Sequence, residues 1–459
     1  MSRWNLAWLL GVPAVAILGL ALSYSAPIRQ KDQDYELVRL IVDVLDEVEH
    51  NYVRELTPEA KRKLVEDMIN GGLEQLDPHS SYINPKEYRQ FTRNSKGEFG
   101  GVGIQISTDR ASGQITVISP MVGTPAYEAG ILAGDLIVKI DGQSTENMRL
   151  SEAVDRIQGE PGTKVTLTIL HEGSKEPVDI ELTRAKIVVQ SVLGDVRKPD
   201  QPSEWDFFID KTNKIAYVRL VTFNENTAQD LEKVVRQLQA EGVRGLILDL
   251  RNNPGGLLRS AVQVADLFLL HGRIVSTRGR NHQGQTYDAR GEGTLLEPAA
   301  RYPMVVLINK YSASASEIVA AALQDHGRAV VIGERSYGKG SVQNILELEN
   351  HQSALKLTTA SYWRPSGQNI HRFPDSKDSD EWGVKPNPGF EVPLSDEERL
   401  DYMIYRRDRD IVHGKPGVAP PPKPKAEKEG EKDKKKEPFV DRVLEKALEH
   451  LRAEVRKLR

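Results

Sequence analysis

Apolar residues recur along this chain with several different periods, and the changes of period divide it into segments. Between Arg3 and Arg29 no charged residue occurs, and Leu6 to Leu22 is almost wholly apolar, with Trp4 and Trp8 at one end. A run of that length suits a membrane-spanning helix of about 20 residues better than the shorter apolar stretch of a cleavable signal. Pro13 and two glycines within it are tolerated in membrane spans. Residues 1–28 are therefore expected to anchor the chain, with a short cytoplasmic end and the bulk exported into the periplasm. A cleavable signal is the rival, because the small residues Ser23 and Ser25 precede Ala26, although Pro27 sits awkwardly beside that cut.

Residues 34–96 are expected to form a helical subdomain. Leu37, Leu40, Ile41, Val44, Leu45 and Val48 follow helical spacing, and Leu64, Met68, Leu73 and Leu76 repeat it. The Asp77-Pro78 step ends that helix. From residue 97 to 186 the period drops to that of strands. Short β-branched runs (Ile104–Ser107, Ile115–Ile118, Leu136–Ile140, Val165–Ile169, Val178–Leu182) alternate with Gly and Pro turns, around one short helix at Arg149–Ile157. Residues 187–400 alternate strands and helices: Ile215–Leu220, then Thr227–Ala240, Leu246–Leu250, Leu257–Leu269, Met304–Ile308, Ser316–Leu323 and Ala329–Ile332. A last strand, Ala354–Ser361, closes the segment. Such alternation predicts a layered sheet with helices on its faces, so the chain reads as multidomain α/β. Residues 414–437 are rich in Pro, Lys and Glu and read as a disordered linker. In the final segment, 438–459, Leu444, Leu448, Leu451, Val455 and Leu458 mark one seam of an amphipathic helix. That seam suits pairing with another copy or an adaptor, or docking on the chain's own body.

With 459 residues there is room for two or three domains with ample cores. A formal net charge of −4 lends no support to a nucleic-acid partner. Cysteine is absent, which removes disulfides, thiol catalysis and Cys-ligated metals. The ten histidines show no tight ligand spacing, so neither a metal nor another cofactor is expected.

The candidate chemistry lies at a serine-rich turn, Ser312-Ala313-Ser314-Ala315-Ser316-Glu317, and a glycine-flanked lysine, Gly338-Lys339-Gly340. Ser314 falls where a buried strand meets a helix, and unpartnered N–H groups at a helix start can hold an anion. No Gly-x-Ser-x-Gly elbow occurs and no histidine has an obvious claim to this serine, which leaves a Ser–Lys pair. For that chemistry Lys339 must be neutral, which burial against apolar walls favours. Backbone N–H groups of Ala315 and of Gly255 or Gly256, in the Asn253-Pro254-Gly255-Gly256 turn, are the expected oxyanion donors. Each part also has a plainer reading: serines cap helices, a loop lysine is solvated, and Asn-Pro-Gly-Gly marks a turn.

The joint pattern resembles the carboxyl-terminal processing, or tail-specific, proteases. It rests on the spacing 339 − 314 = 25, on Gln343, and on four strings: Asp249-Leu250-Arg251-Asn252-Asn253-Pro254-Gly255-Gly256, Leu323-Gln324-Asp325, Gly333-Glu334 and Asp77-Pro78-His79-Ser80-Ser81-Tyr82. The resemblance runs from about Tyr35 to Pro393. It implies a serine endopeptidase with Ser314 as nucleophile, Lys339 as base and Gln343 orienting the lysine, and with Glu317 and Asp325 in support. Gly101-Val102-Gly103-Ile104, Ala129-Gly130-Ile131-Leu132 and Ile140-Asp141-Gly142 resemble a PDZ domain. By that likeness Gly101, Val102, Gly103 and Ile104 would hold the apolar C-terminal tails of protein substrates. Three departures stand out: Gln158-Gly159 replaces the family's usual Arg-Gly, Pro374 to Trp382 looks like an acidic insertion, and Pro386-Asn387 follows it where the family commonly has Pro-Asp. Two rival functions remain: a PDZ scaffold with a degenerate protease domain, and a nucleotide enzyme. For the latter, Gly333 to Gly340 nearly spells a phosphate-binding loop, but Gly340 stands where a Ser or Thr should hold Mg²⁺.

Overall fold

The computed structural model describes residues 28–109, 112–280, 284–291, 302–414 and 439–458, and the chain divides into two compact units, Met1–Leu76 and Asp77–Arg459. In the first unit the helical periodicity yields helices Ile28–Asn51 and Pro58–Glu74, the second started by Pro58 and by Thr57, whose hydroxyl accepts from the Ala60 N–H. Among the described residues no helix is long and apolar enough to cross a membrane, and the apolar run from Leu6 to Leu22 lies outside them. The expected membrane-anchored, periplasmic placement is therefore corrected: no described element supplies an anchor.

The second unit begins with a departure from the helical reading. Asp77 accepts hydrogen bonds from the N–H groups of His79 and Ser80, which turns the chain into a strand, Ser81–Ile83. That strand pairs antiparallel with Ser353–Trp363, itself one arm of a long hairpin with Ser341–Leu348. The helix Pro85–Ser95 then starts at a reciprocal cap between Asn84 and Glu87.

The β-rich segment folds as read. Ile104–Thr108, Ile115–Pro120, Leu136–Ile140, Lys164–Leu170 and Val178–Thr183 form an antiparallel sheet, and Ile104–Thr108 lies at its edge. Inward positions such as Ile115, Val117, Ile137, Leu167 and Ile169 fill one core with Ala153 and Ile157 of the helix Leu150–Ile157.

The α/β segment centres on four parallel strands in chain order: Ile215–Leu220, Gly245–Asp249, Met304–Ile308 and Val330–Gly333. Every residue of the first three is buried. Continuous apolar runs of this kind belong to a sheet covered on both faces. Helices Thr227–Ala240, Leu258–Asp266 and Ala315–Asp325 cover one face. The other face is closed by the C-terminal helix Arg442–Lys457, whose Val443, Leu444, Ala447 and Leu451 pack on Ile215, Tyr217, Ile247, Val305 and Leu307. Its apolar seam thus lies on the chain's own sheet rather than open to another copy or an adaptor. Each such leucine contributes at most about 1.5–3 kcal/mol on burial. The linker expected at 414–437 falls outside the described residues except for Gly414.

Candidate active site

The strand Met304–Ile308 leads through Asn309–Ala313 to Ser314, which starts the helix Ala315–Asp325 in a strained conformation (φ 56°, ψ −113°). Non-glycine residues rarely adopt positive φ, and such strain concentrates at functional turns. The structure separates three serines that the sequence leaves equivalent. Buried Ser312 donates its hydroxyl to the Leu250 carbonyl at 2.8 Å, and buried Ser316 donates to the Asn253 carbonyl at 3.0 Å. Ser314 alone of the three keeps a partly open side chain.

The Asn253-Pro254-Gly255-Gly256 turn presses against this start. A Cβ on Gly255 would lie 2.7 Å from the Ala313 carbonyl oxygen and 2.9 Å from the Ala315 nitrogen, so only glycine fits. Gly255 (φ 99°) donates its own N–H to Asn253 Oδ1 at 2.9 Å, which removes it as an oxyanion donor. The N–H groups of Gly256 and Ala315 have no partner among the described residues.

Glu317 joins the two halves of the site. Its Oε2 accepts from the backbone N–H groups of both Ser314 and Lys339, each at 2.8 Å. Its Oε1 accepts from the Gly338 N–H and the Ser336 hydroxyl, each at 2.6 Å. This buried carboxylate therefore brackets the serine turn to the lysine loop across a sequence gap that nothing local bridges. Complete burial pushes its pKa up to about 7, against the pull of the four donors. For Lys339, burial first and the neighbouring Lys356 charge second hold the ammonium below the usual lysine pKa, with Glu317 pulling the other way.

Two further expected residues have partners of their own. Gln343 donates to the hydroxyls of Ser341 and Thr358 at 2.9 and 3.2 Å, inside the hairpin that follows Lys339, and not to the lysine. Asp325 sits at the far end of the helix that Ser314 starts, roughly 16 Å from Ser314 at 1.5 Å rise per residue. There it pairs with Arg364 at 2.6 Å, a packing role rather than a place in the site. Ser336 carried no signal in the sequence beyond its place between Glu334 and Gly338. In the small domain Gly103 takes φ 80° and a Cβ there would meet Thr124 at 2.3 Å. Val102 packs its side chain into the core, which leaves only its backbone for other contacts. The N–H groups of Val102 and Gly103 have no partner among the described residues, just before the edge strand Ile104–Thr108. The lysine loop runs on into the strand Ser341–Leu348 and not into a helix, so it lacks the helix start that holds phosphate in a nucleotide-binding loop.

A model of peptidase family S41 matches residues 214–387 and a PDZ model matches residues 116–170. A carboxy-terminal-processing protease of Bartonella bacilliformis is 39% identical over 407 residues, covering 87% of this chain and 88% of that protein. The chain belongs to this family of carboxyl-terminal-processing proteases. It is accordingly a serine peptidase with a PDZ domain, and a degenerate scaffold or a nucleotide enzyme is set aside. A carboxyl-terminal-processing protease of Synechocystis is 34% identical, over 85% of this protease and 88% of the relative. A photosystem II D1 C-terminal processing protease of solved structure is 30% identical over 76% of this chain and 86% of that one, with a TM-score of 0.42.

Proposed function

We propose that this protease cleaves protein substrates with a Ser314–Lys339 dyad and selects them by their C-terminal tails. The observation that carries the dyad is the Glu317 bracket, which ties the backbones of Ser314 and Lys339 to one carboxylate oxygen. Ser314 Oγ attacks the scissile carbonyl carbon while the neutral Lys339 amine takes its proton. The lysine then returns that proton to the leaving amine, and water releases the acyl-enzyme by the reverse sequence. The N–H groups of Ala315 and Gly256 receive the oxyanion. Glu317 touches no reacting atom in this scheme; it is a positioning residue.

In the tail-binding reading, the N–H groups of Val102 and Gly103 receive the terminal carboxylate. The tail then adds to the open edge of Ile104–Thr108, beside the helix Leu150–Ile157. The test is digestion of one unfolded protein with a free apolar tail. Ser314→Ala and Lys339→Ala should each lower the rate by several orders of magnitude without unfolding the protein, because the two act as one unit. Full activity in Lys339→Ala would remove the dyad. Equal rates for free, amidated and acidic tails would remove the tail reading and leave the dyad standing.

A further inference from the structure

Arg251 lies directly before the turn that carries Gly256, and its side chain is 1% exposed. Its guanidinium is held from two sides. Asp249, at the end of the same strand, accepts from Nε at 3.0 Å and from Nη2 at 2.7 Å, and the Tyr217 hydroxyl donates to that carboxylate at 2.6 Å. The second partner comes from far along the chain. Asp441 Oδ1 and Oδ2 accept from Nη1 and Nη2 at 2.8 and 2.9 Å, a two-pronged fork of the strong kind. Asp441 is also the N-cap of the C-terminal helix, accepting from the Leu444 N–H at 3.1 Å.

From Arg251 the bonded contacts continue to the nucleophile. The Asn253 carbonyl accepts from the Ala313 N–H and the Ser316 hydroxyl, on either side of Ser314, each at 3.0 Å. Asn252 and Asn309 exchange two bonds of 3.0 and 2.8 Å, which fixes the same turn to the serine loop. The turn bearing Gly256 is therefore held at one end by the nucleophile loop and at the other by a guanidinium whose outer partner belongs to the last helix.

We infer that Asp441 is a positioning residue for catalysis: through Arg251, the C-terminal helix sets the turn that supplies the Gly256 N–H. This rests on the oxyanion role given to Gly256 above. The helix then does more than cover the sheet, since its docking also sets a donor the transition state needs and the ground state does not.

The test is full-length Asp441→Asn, with rates normalised to the folded fraction by fluorophosphonate titration of Ser314. Asparagine keeps the N-cap, so helix fraying does not enter. Expected are a kcat lower by about tenfold with KM unchanged, and a matching loss of affinity for a peptide aldehyde that forms a tetrahedral adduct. Affinity for the product peptide should not change, and Asp441→Glu, which keeps the charge, should recover most of kcat. Wild-type kcat and aldehyde affinity in Asp441→Asn would overturn the inference. So would an equal loss of product affinity, or a Glu variant as slow as the Asn one. Ser314→Ala, run alongside, separates the two levels: if it stays active, the dyad reading itself fails.

Discussion

Two side chains with opposed demands set the chemistry at the residue scale. In the proposed dyad Lys339 must lose its proton to work; burial and then the Lys356 charge hold its pKa down. Replacing Lys356 with Met removes that repulsion, so the Lys339 pKa rises and the alkaline-activated limb of the kcat/KM profile moves to higher pH. An unmoved limb would show that Lys339 is not the titrating base. Glu317 must keep its charge, because each of its oxygens already accepts two donors and a proton would displace one. Its folded pKa of about 7 stands above the ordinary 4.5. A raised folded pKa means that stability present below the unfolded value is lost as pH rises through the folded one. Stability should therefore fall while activity rises between these two values. Glu317→Gln should flatten the stability trend, as read by thermal melts across that range. Its amide NH₂ would also face backbone donors, leaving buried groups unpaired at a cost of about 1–3 kcal/mol, and kcat should fall by about tenfold to a hundredfold.

Single positions with no room to change decide the outcome at the scale of elements. Gly103 introduces the edge strand Ile104–Thr108 with φ 80°, and a side chain there would collide with Thr124 at 2.3 Å. Gly103→Ala should raise KM for tail-bearing proteins and leave the hydrolysis of short tail-less peptides unchanged. A KM that does not move would mean that tails are not read at this loop. The C-terminal helix depends on its seam instead. Leu451 is fully buried against the parallel sheet, so Leu451→Ala should cost about 2–5 kcal/mol, measured as a lower denaturant midpoint. Wild-type stability in that variant would show that the seam does not hold the helix.

Long-range ties hold the whole second unit together, and these were the least legible in the sequence. After the helix Asp396–Asp410 the chain crosses to the small domain, where the Val412 N–H donates to Ser119 Oγ at 2.9 Å and the Ala133 N–H donates to the His413 carbonyl. Beside that crossing, Arg219 and Arg406 share Asp410, and Arg406 also reaches Asp195. Repeating local patterns in the chain determine the strands, the helices and the division into β-rich and α/β segments, because side-chain period follows backbone geometry directly. The strings that hold Ser314, Lys339 and the glycine turn were also visible, since each carries its own punctuation. Contacts between strings were not. The family resemblance named Gln343 and Asp325, but their hydrogen-bond partners, Ser341 and Thr358 for one and Arg364 for the other, could not be read from it. The seam of the last helix was plain, yet its partner was not, because an amphipathic stripe states only that some apolar surface must cover it. Asp441 meets Arg251 across 190 residues, and only the folded sheet brings those charges together. Local periodicity is written in neighbouring residues, whereas a hydrogen bond between distant ones depends on packing that no stretch of sequence contains.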